Sequence, residues 1–283
     1  MAMAKVRVVT DSAAELTPEV AEALGIMVVP MTIRFGDEEL RDEVDISTEE
    51  FYRRLEVSGL MPVATPPSFR AFQDVYARLS QTTDQIISIH VSARLSRSYH
   101  VATAAAEAFL GRCQFAVMDS ASISVGQGTL VRAAAEAANR GMPLDSIVRL
   151  IRGMIPHVYL VFFVEALEYL EREGRIGKAQ ALLGSMLNIK PILIVEDGDI
   201  IPLEKVRTRP RAVDKLFEFV AEFAQIEEVA VLQVGSDQEA AELVERLKLV
   251  FADREFPILP YGPVLASHIG PNTMGVIVYE GIR

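Results

Sequence analysis

Apolar positions along the chain follow two alternating rhythms: short β-branched runs, and longer stretches in which they recur every three or four residues. In the first half, residues 5–10 (KVRVVT), 86–91 (IISIHV) and 114–118 (QFAVM) read as strands. Between them lie helical stretches with recognisable starts: Thr17 before Pro18, the capping box Ser47-Thr48-Glu49-Glu50, Ser68 before residues 69–79, and the Ala-rich residues 99–110. A further Ala-rich helix opens after Ser124-Val125-Gly126-Gln127-Gly128 and stops by Gly141, a good C-cap residue. Residues 26–35, broken by Pro30, predict an edge strand or two short pieces, and the three prolines of residues 61–68 (MPVATPPS) predict a rigid loop.

Beyond a helix near residues 144–153 the order of elements changes. A strand at 158–164 precedes helices at 165–172 and 177–187, and strands 189–195 and 200–206 flank the hairpin signal Glu196-Asp197-Gly198-Asp199. Helices at 212–224 and 238–251 then alternate with strands at 228–234, 256–261 and 274–279, while residues 262–271 form a Gly/Pro-bounded segment carrying His268. The predicted fold class is α/β in two domains: an N-terminal parallel sheet flanked by helices (1–152) and a C-terminal α+β domain with a mixed sheet (153–283), a ligand cleft lying between them.

The strand endings VVTDS, SIHVS and AVMDS each deliver a serine at the next turn: Ser12, Ser92 and Ser120. In a parallel sheet, ligands sit beyond the carboxyl ends of the strands, where such loops converge. Ser96, Arg97 and Ser98 then precede a helix, whose free N–H groups and positive dipole end outline an anion site. The same serines read equally as plain helix caps.

Charge and composition narrow the function. A net charge of −11 over 283 residues argues against a general nucleic-acid binder, which needs a surplus of cations on one surface. No apolar run nears the ~20 residues of a membrane span; the longest, residues 154–164, is interrupted by Pro156 and His157. The amino terminus runs straight into strand-like sequence, so no signal peptide is expected. The single cysteine, Cys113, excludes an internal disulfide and suits a reducing compartment, so a cytoplasmic location without membrane insertion is expected. Phosphate-loop and G-x-S-x-G signatures are missing, and His90, His100, His157 and His268 lack metal-ligand spacing. Asp11 and Asp119 suit helix capping or acid/base work. Of two basic clusters, residues 171–175 and 205–211, the second places four cations in seven residues, either a solvated edge or an anion clamp.

At these residues the sequence resembles the DegV family of bacterial fatty-acid-binding proteins. The likeness runs nearly end to end through VTDS and Leu16, MPVATPPS, SARLSRSY, DSASISVGQG, LEYLEREGRIGKAQALLGSMLNIKPIL, KVRTRPRA and SHIGP. It implies a non-enzymatic protein without cofactor that holds one long-chain fatty acid between its domains. The carboxylate would be presented to a separate fatty acid kinase subunit, which makes an acyl phosphate for phospholipid synthesis. By position it implies Thr65 and Ser96 as hydroxyl donors to that carboxylate, with His268 beside them, and Arg175 and Arg207 at the pocket mouth or kinase-docking surface. Ser12, Ser92, Arg97 and Ser120 would lie in loops near the ligand. Ala64 stands where the family has a threonine, and Arg97 where it has a glycine. The alternative is an enzyme, a phosphotransferase or hydrolase of small molecules using His268 and a strand-end serine.

Overall fold

A computed structural model describes residues 5–165, 167–172 and 189–282. In chain order the first part comprises β1 (Arg7–Asp11), α1 (Pro18–Leu24), β2 (Ile26–Val29), β3 (Thr32–Phe35), β4 (Glu38–Arg41), α2 (Thr48–Ser58), β5 (Val63–Thr65), α3 (Phe69–Leu79), β6 (Gln85–His90), α4 (Ser98–Glu107), β7 (Gln114–Asp119), α5 (Val125–Asn139) and α6 (Leu144–Met154). There follow β8 (Val158–Phe163), α7 (Glu168–Arg172), β9 (Lys190–Glu196), β10 (Asp199–Val206), α8 (Arg209–Ala221), β11 (Glu228–Gln233), α9 (Asp237–Val250), β12 (Ile258–Leu259), α10 (Pro263–Ile269) and β13 (Met274–Tyr279). The helix expected over 177–187 lies outside the described residues.

The caps form as their residue types demand. Thr17, Ser47 and Ser68 accept hydrogen bonds from the N–H groups of Val20, Glu50 and Ala71. Strands β2-β1-β6-β7 make a parallel sheet, and β10-β9-β8-β13-β11-β12 make a mixed one. The expected α/β fold class, with a parallel sheet followed by a mixed sheet, is the one observed.

A third sheet, β4-β3-β5, arises where a loop was expected. Its strand β5 fits between Pro62 and Pro66, and Thr65 pairs with Thr32; the prolines bound the strand instead of interrupting it. Residues 26–35 form two pieces in different sheets, with Pro30 between them. The Gly/Pro-bounded segment is helix α10, with Gly262 as N-cap, Pro263 at its first position and Gly270 closing it at φ 77°. The strand expected over 256–261 reduces to Ile258–Leu259. Helix α8 begins three residues early because Thr208 caps it and Pro210 favours its first turn.

Strand alternation explains how the parts meet. Val161 and Phe163 on β8 join the apolar cluster beneath α8 and α9, whereas Leu160 and Phe162 point the other way. There they meet Ala13, Val91, Leu95 and Ile123 from the loops of the parallel sheet, together with Val264, Leu265 and Ile269 of α10. Polar ties reinforce this packing. The Ser92 hydroxyl donates to the Gly198 carbonyl at 2.7 Å, Arg94 pairs with Asp199 at 3.4 Å, and the Tyr52 hydroxyl donates to the Tyr261 carbonyl at 2.9 Å.

The hairpin turn at Asp197-Gly198 has φ of 50° and 80°, both left-handed, as a tight two-residue turn requires. A Cβ at Gly198 would collide with Ser92 Oγ. Gly198→Ala should therefore lower stability by about 1–3 kcal/mol through strain and loss of the Ser92 bond. The check is a urea titration, in which the midpoint should fall with an unchanged slope.

Candidate functional site

The strand ends are organised by a buried carboxylate. Asp11, at the end of β1, is fully buried and accepts hydrogen bonds from Ser98 Oγ at 2.6 Å, Gln127 Nε2 at 3.0 Å and the Val91 N–H at 3.3 Å. Its Oδ2 also lies 2.9 Å from His90 Nδ1, and His90 Nε2 lies 2.7 Å from Ser88 Oγ, itself 2.8 Å from the Tyr76 hydroxyl. Burial alone would raise the Asp11 pKa, but His90, Ser98 and Gln127 outweigh it and hold the carboxyl below its ordinary range. Asp11, His90 and Ser88 share the connectivity of a hydrolytic triad. All three side chains are fully buried, so Ser88 offers no surface to a substrate.

The three serines delivered by strand ends are each tied to backbone. Ser12 Oγ accepts from the Met31 N–H at 3.0 Å, Ser92 donates to Gly198, and Ser120 donates to the Ser122 carbonyl at 3.0 Å. Ser96 differs. It is 7% exposed, and its oxygen accepts the Ser98 N–H at 3.2 Å, while its hydroxyl proton has no acceptor among the described residues. Ser98, expected to face an anion, is spent on Asp11. Arg97 is the N-cap of α4 with an exposed side chain.

Thr65 lies on β5, its hydroxyl donating to the Thr32 carbonyl at 3.3 Å, longer than a strong O–H···O bond. His268 is buried within α10, which packs against β5. Ala64, Leu95 and Ile269, neighbours in sequence of Thr65, Ser96 and His268, all touch the apolar cluster that joins the two sheets. The structure thus brings these three candidates to the margin of one core. Arg207 stands exposed after β10 without an ion pair among the described residues, and Arg175 lies outside them. Within the basic cluster, Arg209 is a structural staple: it binds Glu165 at 2.8 Å and Glu239 at 2.6 Å, with its guanidinium over the Phe163 ring.

The pattern of residues gave no signal for Glu15, which follows the strand-end serine Ser12 and joins the two halves. Its Oε1 accepts the Gly262 N–H at 2.8 Å, at the start of the helix carrying His268, and its Oε2 accepts Ser124 Oγ at 2.5 Å. Ser124 holds a left-handed φ of 61°, an uncommon conformation for a residue with a side chain, to make this bond. Burial pushes Glu15 from 4.5 to about 7 against the pull of these bonds, with repulsion from Asp42 and Glu43 adding to it. Asp42, 2% exposed with no partner for Oδ1 among the described residues, is likewise raised from 3.8 to about 7 by burial, opposed by its bond with Ser12. Among the described residues no group of three or more His, Cys, Asp or Glu side chains is placed to hold a metal ion, and no helix is long and apolar enough to cross a membrane.

A parallel sheet whose strand-end loops cover one apolar face of a mixed sheet defines a two-sheet α/β fold. The chain belongs to the DegV family: residues 5–281 match the family model described as "Uncharacterised protein, DegV family". It is 33% identical over 281 residues to a DegV domain-containing protein of Halalkalibacterium halodurans, covering 98% of this chain and 99% of that one. A DegV family protein from Thermus thermophilus, whose structure describes fatty acid binding, superposes with a TM-score of 0.86 at 30% identity, covering 98% and 100% of the two chains. DegV of Bacillus subtilis, described as a fatty acid binding protein, gives 0.88 at 29% identity, covering 98% and 99%.

The raised carboxyls carry a pH signature. An acid that holds its proton more tightly folded than unfolded favours the folded state at low pH, so stability falls as pH rises from about 4.5 to about 7. Asp11, held low, affects stability only below its ordinary 3.8 and adds no slope here. Unfolding free energies from urea titrations should decline by up to about 5 kcal/mol between about pH 5 and 8, and Asp42→Asn should roughly halve the decline. A rise across that interval contradicts the assignment.

Proposed function

We propose that this protein binds one long-chain fatty acid between its two domains, residues 1–152 and 153–283, and presents the carboxylate to a fatty acid kinase. The observation that carries the reading is the apolar core shared by both sheets, with Ser96 at its edge holding a hydroxyl proton uncommitted among the described residues. Each buried methylene contributes about 0.8 kcal/mol, so a dozen supply roughly 10 kcal/mol of gross driving force. A buried carboxylate without partners costs several kcal/mol; Ser96, Thr65 and His268 supply the compensating hydrogen bonds. Thr65 reaches the head group by giving up its long bond to the Thr32 carbonyl, and so provides the hydroxyl that the neighbouring Ala64 does not have.

Support for the class of ligand comes from the Thermus and Bacillus relatives, both described as fatty-acid binders. The kinase role rests on Arg207, an exposed cation beside the hairpin and free to meet an acidic partner.

Native mass spectrometry of the purified protein followed by organic extraction should reveal one fatty acid per chain; an empty protein that also rejects added palmitate or oleate overturns the reading. Ser96→Ala should weaken fatty-acid binding about tenfold, the worth of one charge-assisted hydrogen bond of about 1.5 kcal/mol, without changing the fold. Unchanged affinity in the titration would remove Ser96 from the site. Arg207→Glu should slow phosphorylation of the bound acid by the kinase more than it weakens lipid binding, and the reverse order would place Arg207 in the pocket.

A further inference from the structure

A cleft opens on the face of the mixed sheet that α8 covers. Tyr159, on the same side of β8 as Val161 and Phe163, faces away from the core that Leu160 and Phe162 share with the first half of the chain. Together with Phe219 of α8 and Phe223 just beyond it, Tyr159 lines a cleft of about 520 Å³. That size lies in the range of small-molecule sites. The three rings are partly exposed, with centroids 5.2, 5.3 and 6.3 Å apart and interplanar angles of 56° to 75°. Rings meeting at such angles present π-faces in more than one direction.

The polar lining is mainly acidic. Glu222, Glu280 and His157 line the cleft, with no lysine or arginine among the described residues. Glu280 Oε1 lies 2.6 Å from His157 Nδ1 and accepts the Tyr159 hydroxyl at 3.2 Å, while Oε2 has no partner among the described residues. Burial first, then the neighbouring Glu280 charge, raises the Tyr159 pKa, so its ring stays a neutral phenol. Aromatic surface is ordinarily buried or lined with aliphatic groups. Here it is left partly open beside two carboxylates, of which Glu280 faces His157 and Glu222 has no ion pair among the described residues.

We propose that this cleft binds a small organic cation of the quaternary ammonium class. Such an ion carries a diffuse charge on apolar methyl groups, so it loses little hydration on entering an aromatic cleft and is attracted by the ring faces. The carboxylates supply the remaining charge complementarity. A neutral aliphatic ligand of the same shape would gain the apolar packing but not the electrostatic attraction, and an ammonium with N–H donors would keep more of its water.

The test uses the full-length protein with choline and tetramethylammonium as probes, measured by calorimetry and by saturation transfer to the methyl protons. The control is the uncharged isostere of choline in which carbon replaces nitrogen. Choline should bind at least about tenfold more tightly than the isostere, and Phe223→Leu and Glu280→Gln should each weaken it about fivefold. The first substitution keeps an apolar side chain and the second keeps side-chain volume, and an unchanged melting temperature separates lost binding from lost fold. Equal binding of choline and the isostere, no binding of either cation up to about 10 mM, or no effect of either substitution overturns the proposal.

Discussion

A mixed sheet with apolar side chains on both faces has to be covered twice, and most of this architecture follows from how that is done. Helices α8 and α9 cover one face in the ordinary way, through Val161, Phe163 and Val276. The other face is covered mainly by the strand-end loops of the parallel sheet, by β3 and by α10. Loops carry backbone N–H and C=O groups that a helix or strand would satisfy internally, so covering an apolar face with them demands polar partners at each turn. The strand-end hydroxyls meet that demand: Ser12 accepts from Met31, Ser92 reaches Gly198, and Ser120 closes on Ser122. A surface assembled this way leaves few uncommitted donors, which makes Ser96 chemically distinct from the serines around it.

Much of the fold was legible because it rests on local signals. β-Branched runs marked β1, β6 and β7; serine and threonine caps marked α1, α2 and α3; and Asp197-Gly198 marked the hairpin. The small sheet was not legible, since β5 has only three residues between prolines and β4 has a single apolar residue, Leu40, so neither shows an apolar period. Its existence depends on β3 pairing with both, a tertiary event. Helix α10 was hidden for another reason: all seven of its residues are buried, so it has no polar face to reveal a helical period.

At the site, the sequence pattern located loops but not the duties of individual atoms. Ser12, Ser92, Ser96, Ser98 and Ser120 look alike as residue types, and only tertiary partners separate the one that retains a donor from those already bonded. Glu15 was invisible for the same reason. Its significance lies in bonds to Ser124 and Gly262, 109 and 247 residues away in the chain.

The proposed carboxylate site has to contend with a chain of net charge −11. Three buried or partly buried carboxyls, Asp11, Glu15 and Asp42, sit on the elements that frame the shared core. If all were bare anions, their field would oppose a further negative group in this low-dielectric setting. The fold mutes them by two different means. Asp11 keeps its charge but surrounds it with His90, Ser98, Gln127 and the Val91 N–H, so much of its field is taken up by oriented donors. Glu15 and Asp42 have fewer donors and are shifted to about 7, so near neutrality a substantial part of each population carries a proton instead of a charge. Because Glu15 also holds the start of α10, its proton is shared between two demands: tethering the helix that carries His268, which either protonation state can satisfy through Gly262, and lowering the negative potential beside it. An acidic outer surface and the proposed anion site are therefore compatible, since the charges nearest the core are either bonded or partly titrated away.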